Sequence, residues 1–370
     1  MKKLSKQNII DILYGCTILG TGGGGNLEDG LAMMEQDFAE GKELYLADLS
    51  ELPDDKYIAT PYGCGAPAAL NAEKDAKFAN LPISDVPPAI LAFRSLENYF
   101  GEKFFAVSST ELGGANTAEA LHTACQLGLP IMDADPAGRS VPELQHSSYF
   151  VYDKPIHPLA VATEFGDVTL ITEVVDDFRA EAIARAIAVA SGDMVGVADH
   201  PMKGKDYKES IIPNAISYAM KIGEILRNEK ESGKNGEAIA RAIAAQMQGK
   251  FLFKGDITKT PWESVGGFNV GEIHLAGKEC HAGDIYRIHF KNENIISYLN
   301  DAVDVVVPDL ICMLDKDGNP FTTPNFYEGM EVNVFALPAP KVWTTEKGLK
   351  CFGPEHFKLG VPYIPFDATK

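Results

Sequence analysis

The chain has 370 residues, 45% of them apolar, enough for one large core or two modest ones. Lys and Arg number 33 against 52 Asp and Glu, a net charge of −19 with histidine neutral. A surface this acidic repels phosphate backbones and anionic headgroups, which makes nucleic acid and membrane poor partners.

Six cysteines, at positions 16, 64, 125, 280, 312 and 351, show no C-x-x-C and no paired spacing. That fits reduced thiols better than a disulfide framework or a structural zinc site. The basic start MKKLSK is followed by Gln7, Asn8 and Asp11, which interrupt the apolar run of a would-be signal peptide. No stretch approaches the roughly 18 apolar residues of a membrane span. The expected location is cytoplasmic.

Residues 8–19 carry apolar side chains at helical intervals, stopped by Gly20. The run GTGGGGN (20–26) follows, then LEDGLAMMEQDFAEG resumes a helical pattern to Gly41. ELYLADLSEL and YIATPYGCG read as short strands. KFFAVSS (103–109) is a buried-strand run, ELGGA a tight connection, and NTAEALHTACQLG (116–128) a helix. Asn116 is its expected N-cap, Glu119 the capping-box partner and Gly128 the stop. LPIMDAD (129–135) is the next strand. Strand, helix and strand within about 30 residues predict a right-handed crossover and parallel pairing. Asp133 and Asp135 then lie at the carboxyl end of a parallel strand, where open α/β sheets bind ligands.

HPLAVATEFGDVTLITEV reads as a hairpin turning at Gly166-Asp167, and residues 176–192 as a helix capped by an Asp. Within 207–233, Ile212, Ile216, Ala219, Gly223 and Leu226 mark one face of a further helix. The run 227–237 reads as a surface loop, with ARAIAAQMQ helical beyond it. From 250 onwards, apolar alternation with glycine turns predicts an antiparallel sheet or small barrel. The expected fold is α/β: an N-terminal α/β domain over 1–168 with parallel pairing, and a C-terminal α+β, strand-rich domain over 169–370.

Gly22, Gly23, Gly24 and Gly25, followed by Asn26, bare consecutive backbone amides before a helix and predict an anion-binding nest. No strand precedes the run and no Lys-Ser or Lys-Thr follows, so it is neither a dinucleotide fingerprint nor a P-loop, and no cofactor is expected. Glu111, Gly113, Gly114 and Asn116 join a strand end to a helix start and are further substrate-binding candidates. In DADPAGRSVPELQ, Asp133 and Asp135 at i and i+2 point the same way and can share a proton or a cation. Arg139 can neutralise them or clamp a planar acyl group, and Glu143 and His146 can return to the same cleft. Cys16 and Cys64, beside glycine turns without a local base, read as packed small hydrophobes. His274, His281 and His289 near Asp284 have no spacing that fixes a common face, so no metal is assigned. His200, in ADHPMKG, has polar turns for company but no specific signal.

Taken in order, the glycine run, E-L-G-G-A-N, D-A-D-P-A-G-R-S-V-P-E-L-Q, P-M-K-G with P-N-A-I-S-Y-A-M-K-I-G, V-P-D-L-I and G-M-E-V-N-V resemble the S-methyl thiohydantoin desulfurase family, which is associated with hydantoinase and oxoprolinase proteins. The resemblance spans nearly the whole chain. It implies an α/β domain followed by a strand-rich one, and hydrolytic loss of methanethiol from an S-methylated thiohydantoin ring. The chain departs from the family pattern at Ser140-Val141, where a hydrophobic or aromatic residue is common. Residue chemistry assigns Asp133 or Asp135 as base, Arg139 and the glycine amides to developing negative charge, and Glu143 or His146 to protonation of the leaving group. Alternatives are a non-catalytic small-molecule-binding or accessory protein and a metal-dependent hydrolase. The expected partner is a small-molecule substrate, with homo-oligomerisation left open.

Overall fold

The computed structural model describes residues 1–65, 78–265 and 268–367. Helix α1 (Lys6–Leu19) starts at a capping box, in which the Ser5 hydroxyl accepts the Asn8 amide and the Asn8 side chain accepts the Ser5 amide. Helix α2 (Leu27–Ala39) is capped by Asn26, whose side chain accepts the Glu28 amide. The first sheet draws on β1 (Lys2–Lys3), β2 (Tyr45–Ala47), β3 (Tyr57–Gly65), β4 (Ala106–Val107) and β5 (Ile131–Met132), while β6 (Ala134–Asp135) lies outside it. It is completed by β7 (Leu159–Ala162), β8 (Val168–Ile171) and β9 (Met194–Lys203), in the order β1-β2-β5-β4-β3-β9-β7-β8.

The predicted parallel pairing is present: Val107 is in register with Ile131, and β2–β5 and β3–β4 are parallel too. Helix α3 (Pro88–Phe100) packs on β7 and β9. The crossover between β4 and β5 is α4 (Gly114–Leu127), closed by Gly128 in the left-handed conformation, as expected. Its start differs. The helix begins at Gly114, and Asn116 is not its cap. The carbonyl of Gly24 accepts the Ala115 and Asn116 amides, both at 3.1 Å, so a neighbouring loop supplies what a cap side chain would.

The hairpin at Gly166-Asp167 forms as β7–β8. The sheet then recruits β9 from beyond position 168, antiparallel to β3, so a chain division at 168/169 falls inside the first sheet, at the start of β8. Helix α5 (Asp177–Ala190) begins at Asp176, which accepts the Arg179 amide. Helix α6 (Ala215–Glu231) lies along α1 with Ile216, Ala219 and Leu226 buried. Ile212 is not on that helix. It sits in the two-residue strand β10 (Ile212–Pro213), paired with β6. The charged run is likewise shorter than expected as a loop, because α6 continues to Glu231 and Arg227 reaches back to Asp11 of α1 at 2.9 Å. Helix α7 (Gly236–Gln246) follows.

The second sheet comprises β11 (Lys250–Lys259), β12 (Trp262–Val265), β13 (Phe268–Gly277), β14 (Ile285–Lys291), β15 (Glu293–Leu299), β16 (Ala302–Val306), β17 (Leu310–Asp315) and β18 (Glu331–Leu337). Every pairing in it is antiparallel, in the order β16-β15-β14-β13-β11-β18-β17 with β12 against β13. It curls into a half-barrel, bringing β15 and β16 against β17. Phe253, Ile288, Phe290 and Val334 fill its inner face. No described helix is long and apolar enough to cross a membrane.

Candidate active site

Between the two sheets lies a cleft of about 880 Å³. Its wall brings together Gly22, Gly23, Gly24, Gly25, Asn26, Glu111, Asn116, Glu143 and His146 from the first half of the chain, and Glu293 from β15. Gly113, Gly114, Asp133, Asp135 and Arg139 lie behind that wall rather than on it.

The glycine loop is clasped by its carbonyls. Thr21 O accepts the Asn294 amide at 2.8 Å and Gly22 O the Thr323 amide at 2.7 Å, while Gly24 O holds the start of α4. The amides of Gly22, Gly24 and Gly25 donate to no protein atom among the described residues. These three amides are open to an anion, whereas the Ala115 and Asn116 amides at the start of α4 are taken by Gly24 O. Close packing explains the glycines. A Cβ on Gly24, at φ +77°, would fall 2.4 Å from the Gly113 Cα, and one on Gly23 would fall 1.7 Å from Glu293 Oε1.

That Glu293 carboxyl belongs to the most unusual group in the wall. Ser140 Oγ lies 2.9 Å from Glu111 Oε2 and 2.8 Å from Glu293 Oε1. A hydroxyl has one hydrogen to donate, so satisfying both contacts requires one protonated carboxyl. Burial pushes Glu293 up to about 8, and the Glu111 charge adds to it against the Ser140 hydroxyl and Arg139. Burial also raises Glu111, opposed by bonds from the Val141 amide, Asn116 and Ser140. With more donors on Glu111, the shared proton resides on Glu293, whose Oε2 is buried without a partner. Ser140 is the bridge.

Asp133 and Asp135 do not form the expected proton-sharing pair. Asp133 accepts the Ser217 amide at 2.8 Å and the Ser217 hydroxyl, fixing the first turn of α6. Asp135 Oδ1 accepts the amides of Ala137 at 2.8 Å and Gly138 at 2.6 Å, organising the turn. Burial raises Asp135 to about 7, but behind the wall it has no reach to a ligand. The short strands β5 and β6 pair on different sides, which turns the two carboxylates to different partners.

Arg139 is fully buried and joins the domains. It donates to Ser140 O at 3.0 Å, Pro308 O at 2.9 Å, Asp309 O at 3.3 Å and Thr21 Oγ1 at 2.8 Å. It is a staple, not a substrate clamp, although its charge steadies the acid pair from behind.

Glu143 reaches the cleft as a charged group: despite burial, bonds from His356 and Lys291 hold its carboxyl well below the usual range. It has no proton to give. Burial, followed by the neighbouring His356, keeps His146 neutral. His146 Nε2 and His356 Nε2 are 2.9 Å apart, and Lys291 Nζ is 2.7 Å from Glu143 Oε1.

Another part of the wall holds Tyr62, Asp199 and His200. His200 adopts φ +44°, a strained value for a non-glycine residue. Its Nδ1 lies 2.9 Å from Asp199 Oδ1, and Asp199 Oδ2 accepts the Tyr62 hydroxyl at 2.6 Å. Burial works against the charged ring, but Asp199 and Asp177 outweigh it and raise His200 to about 9. Glu293, Asp199, His200, Tyr62 and His356 were not singled out as site residues from sequence. The A-D-H-P turn around His200 was the one available signal; Glu293, in K-N-E-N-I, has none.

No curated protein matches the chain. A crystal structure of a protein from Chromobacterium violaceum, a Northeast Structural Genomics Consortium target, is similar with a TM-score of 0.80 at 23% identity, covering 99% of this chain and 100% of that one. At that identity the likeness is one of fold. The family profiles described as S-Me-THD-like N-terminal and C-terminal domains match residues 7–173 and 175–366. The chain belongs to the S-Me-THD-like family.

Proposed function

We propose that this protein is a hydrolase acting on a small cyclic amide of the thiohydantoin type, releasing methanethiol from the S-methylated ring. The family assignment supports the ring class. The observation that carries the chemistry is the one-proton acid pair Glu111–Glu293, bridged by Ser140 beside the free glycine amides.

Losing a thioether by hydrolysis needs an acid for the ring nitrogen and a base for water. A carboxyl pair holding one proton supplies both near neutral pH. The Glu293 carboxylic acid gives its proton to the ring nitrogen of the C=N bond. Water bonds to the carbon bearing sulfur and passes a proton to Glu111. The C–S bond then breaks, methanethiol leaves with the proton from Glu111, and the new hydroxyl returns its proton to Glu293 as it becomes the ring carbonyl. The amides of Gly22 and Gly24 face charge developing on the ring.

Purified protein given an S-methylated thiohydantoin, with thiol release followed colorimetrically, is the test. Methanethiol and the hydantoin appearing in equal amounts is the expected result. A ligand-induced rise in melting temperature without thiol release would overturn it in favour of a binding protein.

A further inference from the structure

We propose that Glu143, His146 and His356 form a binding site for a divalent cation of the zinc class. Glu143 and His146 are brought together by a tight turn in which the His146 amide donates to Glu143 O at 3.0 Å. His356 arrives from the far end of the chain, after the helical turn Glu346–Phe352. The Nε2 atoms of the two rings are 2.9 Å apart, and Glu143 Oε2 lies 3.6 Å from each. Three ligand atoms thus face one point, and among the described residues no other cluster of histidine, cysteine and acid side chains does so.

The spacing suits a metal. Ligands about 2.0–2.1 Å from a tetrahedral ion stand roughly 3.3 Å from each other, inside the range observed here. Lys291 occupies Oε1, and Oε2, which accepts the Gln145 side-chain amide at 2.7 Å, has a second lone pair for the ion. Phe352 and Phe357 pack on the His146 ring at 5.0 and 5.7 Å and fix its orientation. Two imidazoles and one carboxylate favour zinc over magnesium, which prefers oxygen ligands. Since Glu143 and His146 line the cleft, a remaining coordination position faces it.

The test is metal content of the full chain, stripped with a chelator, reloaded with Zn²⁺ and desalted. Wild type retains about one zinc per chain. His356→Ala and Glu143→Gln lose at least roughly tenfold in affinity, and magnesium does not compete. His356 is partly exposed, so its variant keeps its fold, checked by circular dichroism and an unchanged metal-free melting temperature. Wild type retaining no zinc, or His356→Ala retaining as much as wild type, overturns the site. Because metal content is read without turnover, failure here is distinct from failure of the ring-hydrolysis reading.

Discussion

Two pairs of acids can be compared in this molecule. Asp133 and Asp135 are two positions apart, Asp133 just after the parallel strand β5 and Asp135 in β6; Glu111 and Glu293 come from the two halves of the chain that the two family profiles match. The first pair is divided between a helix start and a turn. The second lines the cleft and meets across a single buried serine hydroxyl. Each acid of the first pair is spent on backbone amides, Asp135 on those of Ala137 and Gly138 and Asp133 on that of Ser217, 84 positions away. Acids brought together against their mutual repulsion, by the fold alone, hold an unusual protonation state.

The largest effect expected from this contrast is on turnover. Glu293→Gln keeps the shape of the pair but removes its proton exchange, and kcat for thiol release should fall about 10²–10⁴-fold, the usual worth of general acid–base catalysis. Arg139→Ala comes next. It removes a fully buried cation with four hydrogen-bonded partners and should cost about 3–5 kcal/mol in chemical denaturation. Gly24→Ala forces a Cβ into the Gly113 backbone at positive φ, and should cost about 2–4 kcal/mol by the same measurement.

The pair should also be visible in the pH dependence of stability. Glu293, with an ordinary value of 4.5, titrates at about 8 in the folded chain, so between those limits the native state holds a proton the unfolded state has lost. Stability therefore falls as pH rises through that window, by at most about 1.4 kcal/mol per pH unit for this group. Asp135, raised to about 7, and His200, raised to about 9, slope the same way. Melting followed from pH 5 to 9 should flatten in Glu293→Gln; an unchanged slope would mean the proton is elsewhere. The smallest effect is reserved for the sequence-adjacent pair. Asp133→Asn should cost about 1 kcal/mol, as a weakened helix start does, and leave turnover within a few-fold of wild type. A large loss of turnover there would reverse the comparison.

The local signals in the sequence were the ones that carried through. Hydrophobic period, Gly128 and the β4–α4–β5 spacing predicted parallel pairing, and the glycine run marked one wall of the cleft. Contacts made at long range were not legible. Nothing near Glu293 announces a partner 182 positions earlier, and His356 meets His146 across 210 positions. The cap of α4 is illegible for the same reason, since the carbonyl that replaces Asn116 belongs to Gly24. Arg139 had the right neighbours in sequence and the wrong ones in space: its guanidinium points to Pro308 and Asp309.

The Glu111–Glu293 contact spans the joint between the two halves of the chain, and this gives the joint a chemical sensitivity of its own. Drawing the halves apart would hydrate both carboxyls, return them to ordinary acidity and release about one hydrogen ion per molecule at neutral pH. Any motion that loosens the joint is therefore favoured by alkali and opposed by acid. Calorimetry in buffers of different ionisation heat would register it as a transfer of protons to the solvent.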